Sequence, residues 1–187
     1  ELALKNTELE EASRTDFSTG LYNKRFFSEF LEKTLANAKR YKHRFSAVIG
    51  DLDWFKKVND ELGHSAGDAF LNAFGKLLAR SVRKGDLAAR WGGDEFAFIL
   101  PHADALGAKK FCRKLQELLE EFCKSTDGRV ILNGKIVGIS FGSAAFDPKK
   151  KGASAITADD LLQQADLALY AAKKIKKGKW GGKLAQF

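Results

Sequence analysis

Arg90-Trp91-Gly92-Gly93-Asp94-Glu95-Phe96-Ala97-Phe98-Ile99-Leu100 decides how the rest of the chain is read. Leu87 to Trp91 and Phe96 to Leu100 are short apolar runs. A Gly-Gly pair between such runs predicts a hairpin, because glycine takes positive φ without a steric penalty. Asp94 and Glu95 follow the glycines directly. Neighbouring carboxylates repel and add nothing to packing; in a strand they point to opposite faces, whereas a turn can aim both at one point. The plain reading is a solvated acidic turn. The sharper one is half of a Mg²⁺ site, with Gly92 and Gly93 letting a phosphate approach the backbone.

A second acidic stretch lies upstream, in Ile49-Gly50-Asp51-Leu52-Asp53-Trp54-Phe55-Lys56-Lys57-Val58-Asn59-Asp60-Glu61-Leu62-Gly63-His64-Ser65-Ala66-Gly67-Asp68. Phe45 to Leu52 is an apolar run, which predicts a buried central strand ending at Asp51. If that strand pairs with the hairpin, Asp51 meets Asp94 and Glu95. Together the stretches resemble the GGDEF family, the bacterial diguanylate cyclases that make cyclic di-GMP from GTP. The shared pattern is Asp-x-Asp-x-Phe-Lys-x-x-Asn-Asp-x-x-Gly-His-x-x-Gly-Asp from Asp51, then Arg-x-Gly-Gly-Asp-Glu-Phe from Arg90. The resemblance runs from Asp16 to about Lys177.

The resemblance implies roles residue by residue. Asp51 and Asp94 would hold metal ions, the Leu52 carbonyl would assist, and Glu95 would complete the catalytic set. Mg²⁺ is the implied cofactor, with Mn²⁺ as a substitute. Asn59 and Asp68 fall where the family reads guanine, which suits a carboxylate accepting from N–H groups and an amide that both donates and accepts. Taken alone, both would be helix caps. Phe55 and Lys56, at a helix start, and Gly92 and Gly93 would meet the phosphates of GTP, as would Lys173 and Lys177. Here the usual Ala-Lys-x-x-Gly-Arg-Asn reads Ala172-Lys173-Lys174-Ile175-Lys176-Lys177-Gly178. A lysine keeps the charge and loses the bidentate fork, so weaker GTP binding is expected. Arg83 and Asp86 fit the family's Arg-x-x-Asp inhibitory motif, with Lys114 or Arg113 completing a site for cyclic di-GMP; alone, that motif is a surface salt bridge. Asp16, Asn23 and Asp53 are expected as helix caps, and His64 as a structural hydrogen-bonder.

The 187 residues fit one domain with a short arm. Hydrophobic residues make up 44%, including 15 Phe, so a core can form without disulfide or metal staples. Cys112 and Cys123 lie roughly 16 Å apart along a helix, too far to bridge, and read as core thiols. A net charge of +8 suits an acidic partner, and a nucleoside triphosphate is one. Nucleic acid is not expected, since that would need a basic stripe with stacking aromatics.

Apolar periodicity predicts helices over Phe26–Lys42, Lys56–Glu61, Ser65–Arg83, Ala103–Phe122 and Ala158–Lys176. Strands are predicted for Phe45–Leu52, the Asp86–Leu100 hairpin and Gly134–Phe146. Short ones are expected at Arg129–Asn133 and within Trp180–Phe187. That order describes an α+β, ferredoxin-like palm, βαββαβ, with an antiparallel sheet and helices on one face. Residues 1–15 read as a linker or signalling helix and 16–187 as the catalytic domain. The family's architecture implies an upstream sensor, a cytoplasmic setting and a parent protein that can be membrane-associated. The expected activity is two GTP giving cyclic di-GMP and two pyrophosphates across a homodimer. The rival is a catalytically idle receptor that keeps only the cyclic di-GMP site.

Overall fold

The structure, a computed structural model, describes residues 14–125, 131–132, 135–175 and 184–186. Lys177, and residues 1–13 of the segment expected as a linker or signalling helix, lie outside them. The described elements are β1 (Tyr22–Asn23), α1 (Lys24–Tyr41), β2 (Phe45–Asp53), α2 (Phe55–Leu62), α3 (His64–Ser81), β3 (Leu87–Gly92) and β4 (Glu95–Pro101). They continue with α4 (Ala105–Lys124), β5 (Ile131–Leu132), β6 (Lys135–Ile136), β7 (Gly138–Phe146), α5 (Ala158–Ile175) and β8 (Leu184–Gln186).

The main sheet runs β1-β3-β4-β2-β7-β8. Its inner part, β3-β4-β2-β7, is antiparallel at every step and, with its crossover helices, makes the expected βαββαβ palm. Parallel strands extend both edges, β1 beside β3 and β8 beside β7, so the sheet is mixed. The strand expected from Gly134 is divided: β6 pairs with β5 in a separate ribbon, and β7 starts at Gly138.

Helices cover both faces of the sheet, not one. On the first face Val48, Leu52, Phe96, Phe98 and Phe141 pack against α2, α3 and α4. On the second, Ala47, Ile49, Ala97, Ile99 and Ala144 pack against α1 and α5. The physical reason is in the sequence of β2, buried from Phe45 through Leu52 without alternation. A strand with no polar face has none to give to water. The two crossovers of a βαββαβ unit fill one side, and the flanking helices must fill the other.

Caps set the helix starts. Asn23 caps α1, accepting from Phe26 N–H at 2.9 Å, and Asp104 caps α4, accepting from Gly107 N–H at 2.9 Å. Thr157 and Asp160 bond reciprocally at the start of α5, a capping box with Asp in place of Glu. Cys112 and Cys123 are buried on α4 and unbridged, as expected. Burial pushes the Cys123 thiol up to about 12.

One close approach places α5, and with it Lys173. A Cβ at Gly142 of β7 would collide with the backbone of Ala165 and Leu169, so α5 lies directly on the strand. Gly142→Ala is expected to cost about 2–3 kcal/mol by forcing the helix off the sheet. A urea titration checks this; an unchanged midpoint would contradict it.

Candidate active site

The antiparallel ladder between β2 and β4 puts Asp51 directly opposite Glu95, and Leu52 N–H donates to the Asp94 carbonyl at 3.1 Å. The two acidic stretches therefore meet at one end of the central strand pair. Asp51 is only 9% exposed. Burial, opposed by Lys173 and reinforced by Asp94 and Glu95, pushes its carboxyl up to about 6. Lys173, in the last turn of α5, places its Nζ 2.5 Å from Asp51 Oδ2. A charge so placed needs a counter-charge, and Lys173 provides it. Among the described residues no three His, Cys, Asp or Glu side chains close on one point as a metal cage. An oxygen-rich set of this kind suits Mg²⁺, which takes one or two carboxylates and completes its shell with phosphates and water.

The turn is held from below. Gly93 has φ +47, a conformation that glycine adopts freely. Arg90 donates from Nε and Nη2 to the Gly93 carbonyl at 3.1 and 2.9 Å, and from Nη1 to Asp16 Oδ1 at 3.2 Å. Asp16 also accepts from Thr19 N–H at 2.8 Å and Thr19 Oγ1 at 2.7 Å. Burial would raise its pKa, but Thr19 and Arg90 prevail and hold it below the usual carboxylate range. Asp16 is thus a clamp for the acidic turn and not a helix cap, and Arg90 is a supporting residue that the motif alone does not reveal.

Trp54 precedes α2 in the left-handed region, at φ 68 and ψ 13, and caps nothing with its side chain. Phe55, buried, and Lys56, exposed, open the helix. Asp53 does not occupy that cap; its Oδ1 accepts from Ser140 Oγ on β7 at 2.7 Å. Asn59 and Asp68 lie inside α2 and α3, not at their N-caps. A Cβ at Gly67 would overlap Asn59 Oδ1, so the amide lies over the bare Cα beside Asp68. His64 is exposed at the start of α3 and makes no side-chain hydrogen bond among the described residues, which corrects its expected role.

Arg83 and Asp86 form a tight loop, with Asp86 N–H donating to the Arg83 carbonyl at 2.9 Å and Arg83 N–H donating to Asp86 Oδ2 at 3.3 Å. Both line a cavity of about 360 Å³ together with Lys114. Arg113 does not line it.

Residues 13–179 match the family model described as "Diguanylate cyclase, GGDEF domain". The chain belongs to the GGDEF family. Diguanylate cyclase A of Treponema denticola is 32% identical over 92% of this chain and 45% of its own length. Diguanylate cyclase DgcS of Shewanella oneidensis is 33% identical over 91% of this chain and 53% of its own. The chain spans about half the length of these relatives. A crystal structure of the GGDEF domain of DgcB from Caulobacter crescentus, in complex with c-di-GMP, superposes with a TM-score of 0.75 at 26% identity, covering 91% of this chain and 95% of that one.

In this GGDEF domain Asp51 keeps its proton up to about pH 6, whereas the unfolded chain releases it near 3.8. The folded form therefore binds more protons between those values. The stability this contributes is full below the unfolded value and is lost as pH rises through the folded one. Asp51→Asn, neutral throughout, is expected to be more stable than the parent above pH 6, by at most about 2–3 kcal/mol. The gain should vanish in acid. Urea melts across pH read this; a variant less stable at neutral pH would contradict it.

Proposed function

We propose that this domain is a diguanylate cyclase. The observation that carries the reading is the meeting of Asp51 with the Asp94–Glu95 turn. Asp51, Asp94, Glu95 and the Leu52 carbonyl would hold Mg²⁺, which when bound neutralises phosphate charge and favours the ionised form of the attacking hydroxyl. Lys173, paired with Asp51 here, would be the cation placed to meet the nucleotide phosphates were Asp51 to hold Mg²⁺. The amides of Phe55 and Lys56 at the start of α2, and the bare backbone of Gly92 and Gly93, offer room and donors for the rest of the triphosphate. Asn59 and Asp68 would bond the guanine edge, and adenine would leave them unpaired, which favours GTP.

One domain offers one such nucleotide site, so the reaction needs two copies facing each other. Each 3′-hydroxyl oxygen forms a bond to the α-phosphorus of the opposite GTP while the bond to the β-phosphate breaks. The hydroxyl protons leave to solvent, and cyclic di-GMP and two pyrophosphates result. The naming of the relatives as diguanylate cyclases and the cyclic di-GMP complex of DgcB support this reading. The cavity at Arg83, Asp86 and Lys114 would take the product as an inhibitor. On this reading residues 1–15 are a linker or signalling segment and 16–187 the catalytic domain. No described helix is long and apolar enough to cross a membrane.

The protein incubated with GTP and Mg²⁺ is expected to yield cyclic di-GMP by chromatography, and Asp94→Asn to lose at least about 10²-fold in rate with an unchanged circular dichroism spectrum. Full turnover by that variant would refute the role of the turn. Absence of turnover in the parent at any concentration, with tight cyclic di-GMP binding, would replace the cyclase reading with the idle receptor.

A further inference from the structure

The cavity beside Arg83 has a further lining residue with no role in the reading above, His102, which lies where β4 hands over to α4. Its backbone is left-handed at φ 60, a region in which histidine is enriched among non-glycine residues. Its N–H donates to the Arg44 carbonyl at 2.9 Å, and its ring packs edge-on to His43 with centroids 5.0 Å apart. The imidazole is therefore held at the cavity wall.

The charges around it favour an anion. Arg83, Lys110 and Lys114 line the cavity and form no ion pair among the described residues. The carboxylates there are already engaged: Asp86 with Arg83 N–H, and Asp104 with the Gly107 N–H and, at 3.9 Å, with Arg44. Arg44 is shared further with Asp147 at 3.7 Å. The titratable groups around His102 are thus His43, Asp86, Asp104 and Asp147, and the cations are Arg44, Arg83, Lys110 and Lys114.

We propose that His102 is a further product-binding residue, whose imidazolium pairs with a phosphodiester oxygen of the cyclic dinucleotide, so that product inhibition strengthens as pH falls. This rests on the reading of the cavity as the product site. Imidazole gains its charge between about pH 8 and about pH 5. By linkage, an anion that prefers the protonated form binds more tightly in acid. Arg83, Lys110 and Lys114 bring further cationic charge to the same cavity.

The test is calorimetric titration of cyclic di-GMP into the protein at about pH 8, 7 and 6 and constant ionic strength, for the parent, His102→Asn and His43→Gln. Asparagine tolerates the left-handed backbone and carries no charge. The parent is expected to bind up to about fivefold more tightly at the acid end. His102→Asn should flatten that slope, and His43→Gln should keep it. Equal slopes in the parent and His102→Asn, a slope lost only in His43→Gln, or no slope in the parent would each overturn the proposal while leaving the product site standing. Failure of the parent to bind at any pH would overturn the product site and this inference together.

Discussion

A carboxylate pressed into the end of a central strand beside two others is the constraint on which the rest of this molecule turns. Asp51 cannot escape to water, because both faces of β2 are covered by helices, and it cannot avoid Glu95, its partner in the ladder. The concentrated negative charge is tolerable only with a cation at hand. Lys173 meets that need in the structure, at the tip of a helix that Gly142 allows to lie flat on the sheet. Packing, electrostatics and site are thus one problem. The close approach of α5 to β7 delivers the charge that makes the acidic end of β2 affordable.

The same arrangement explains why so much support surrounds a short turn. Arg90 ties the Gly93 carbonyl to Asp16, and Asp16 is fixed in turn by Thr19. Without that brace Asp94 and Glu95 would be free to swing apart under their own repulsion. With it, the Gly93 carbonyl is held by Arg90 while Gly92 and Gly93 stay exposed. Asp53, turned away to Ser140, leaves Asp51 as the acid of that segment facing the turn. Two cationic regions result, one over Asp51 and one in the cavity by Arg83, and they lie on opposite ends of the palm's β4 strand.

Much of this was legible in the letters, for physical reasons. Apolar runs separated by Gly92-Gly93 specify a hairpin, and a buried strand ending at Asp51 can reach its turn only by pairing with it. The covering of both faces was also legible in the unbroken Phe45–Leu52 run, although the βαββαβ order by itself suggests one covered face. Side-chain partnerships across long separations were not. Arg90 and Asp16 are 74 residues apart, and Asp53 and Ser140 are 87 apart. No period or spacing encodes such pairs; they arise from how the loops come to rest on the sheet. The cap expected at Asp53 failed for that reason, since Ser140 on the neighbouring strand offered its hydroxyl. His64 failed for a simpler one, being left in solvent at a helix start.

The central claim is that the Asp51 charge is built to be shared with a divalent cation that arrives with a nucleotide. The most direct measurement is Mn²⁺ binding by electron paramagnetic resonance in the presence of a non-hydrolysable GTP analogue, comparing the parent with Asp51→Asn. The account predicts a bound-Mn²⁺ signal in the parent and an affinity weaker by more than about tenfold in the variant. Equal Mn²⁺ affinity in both would contradict it.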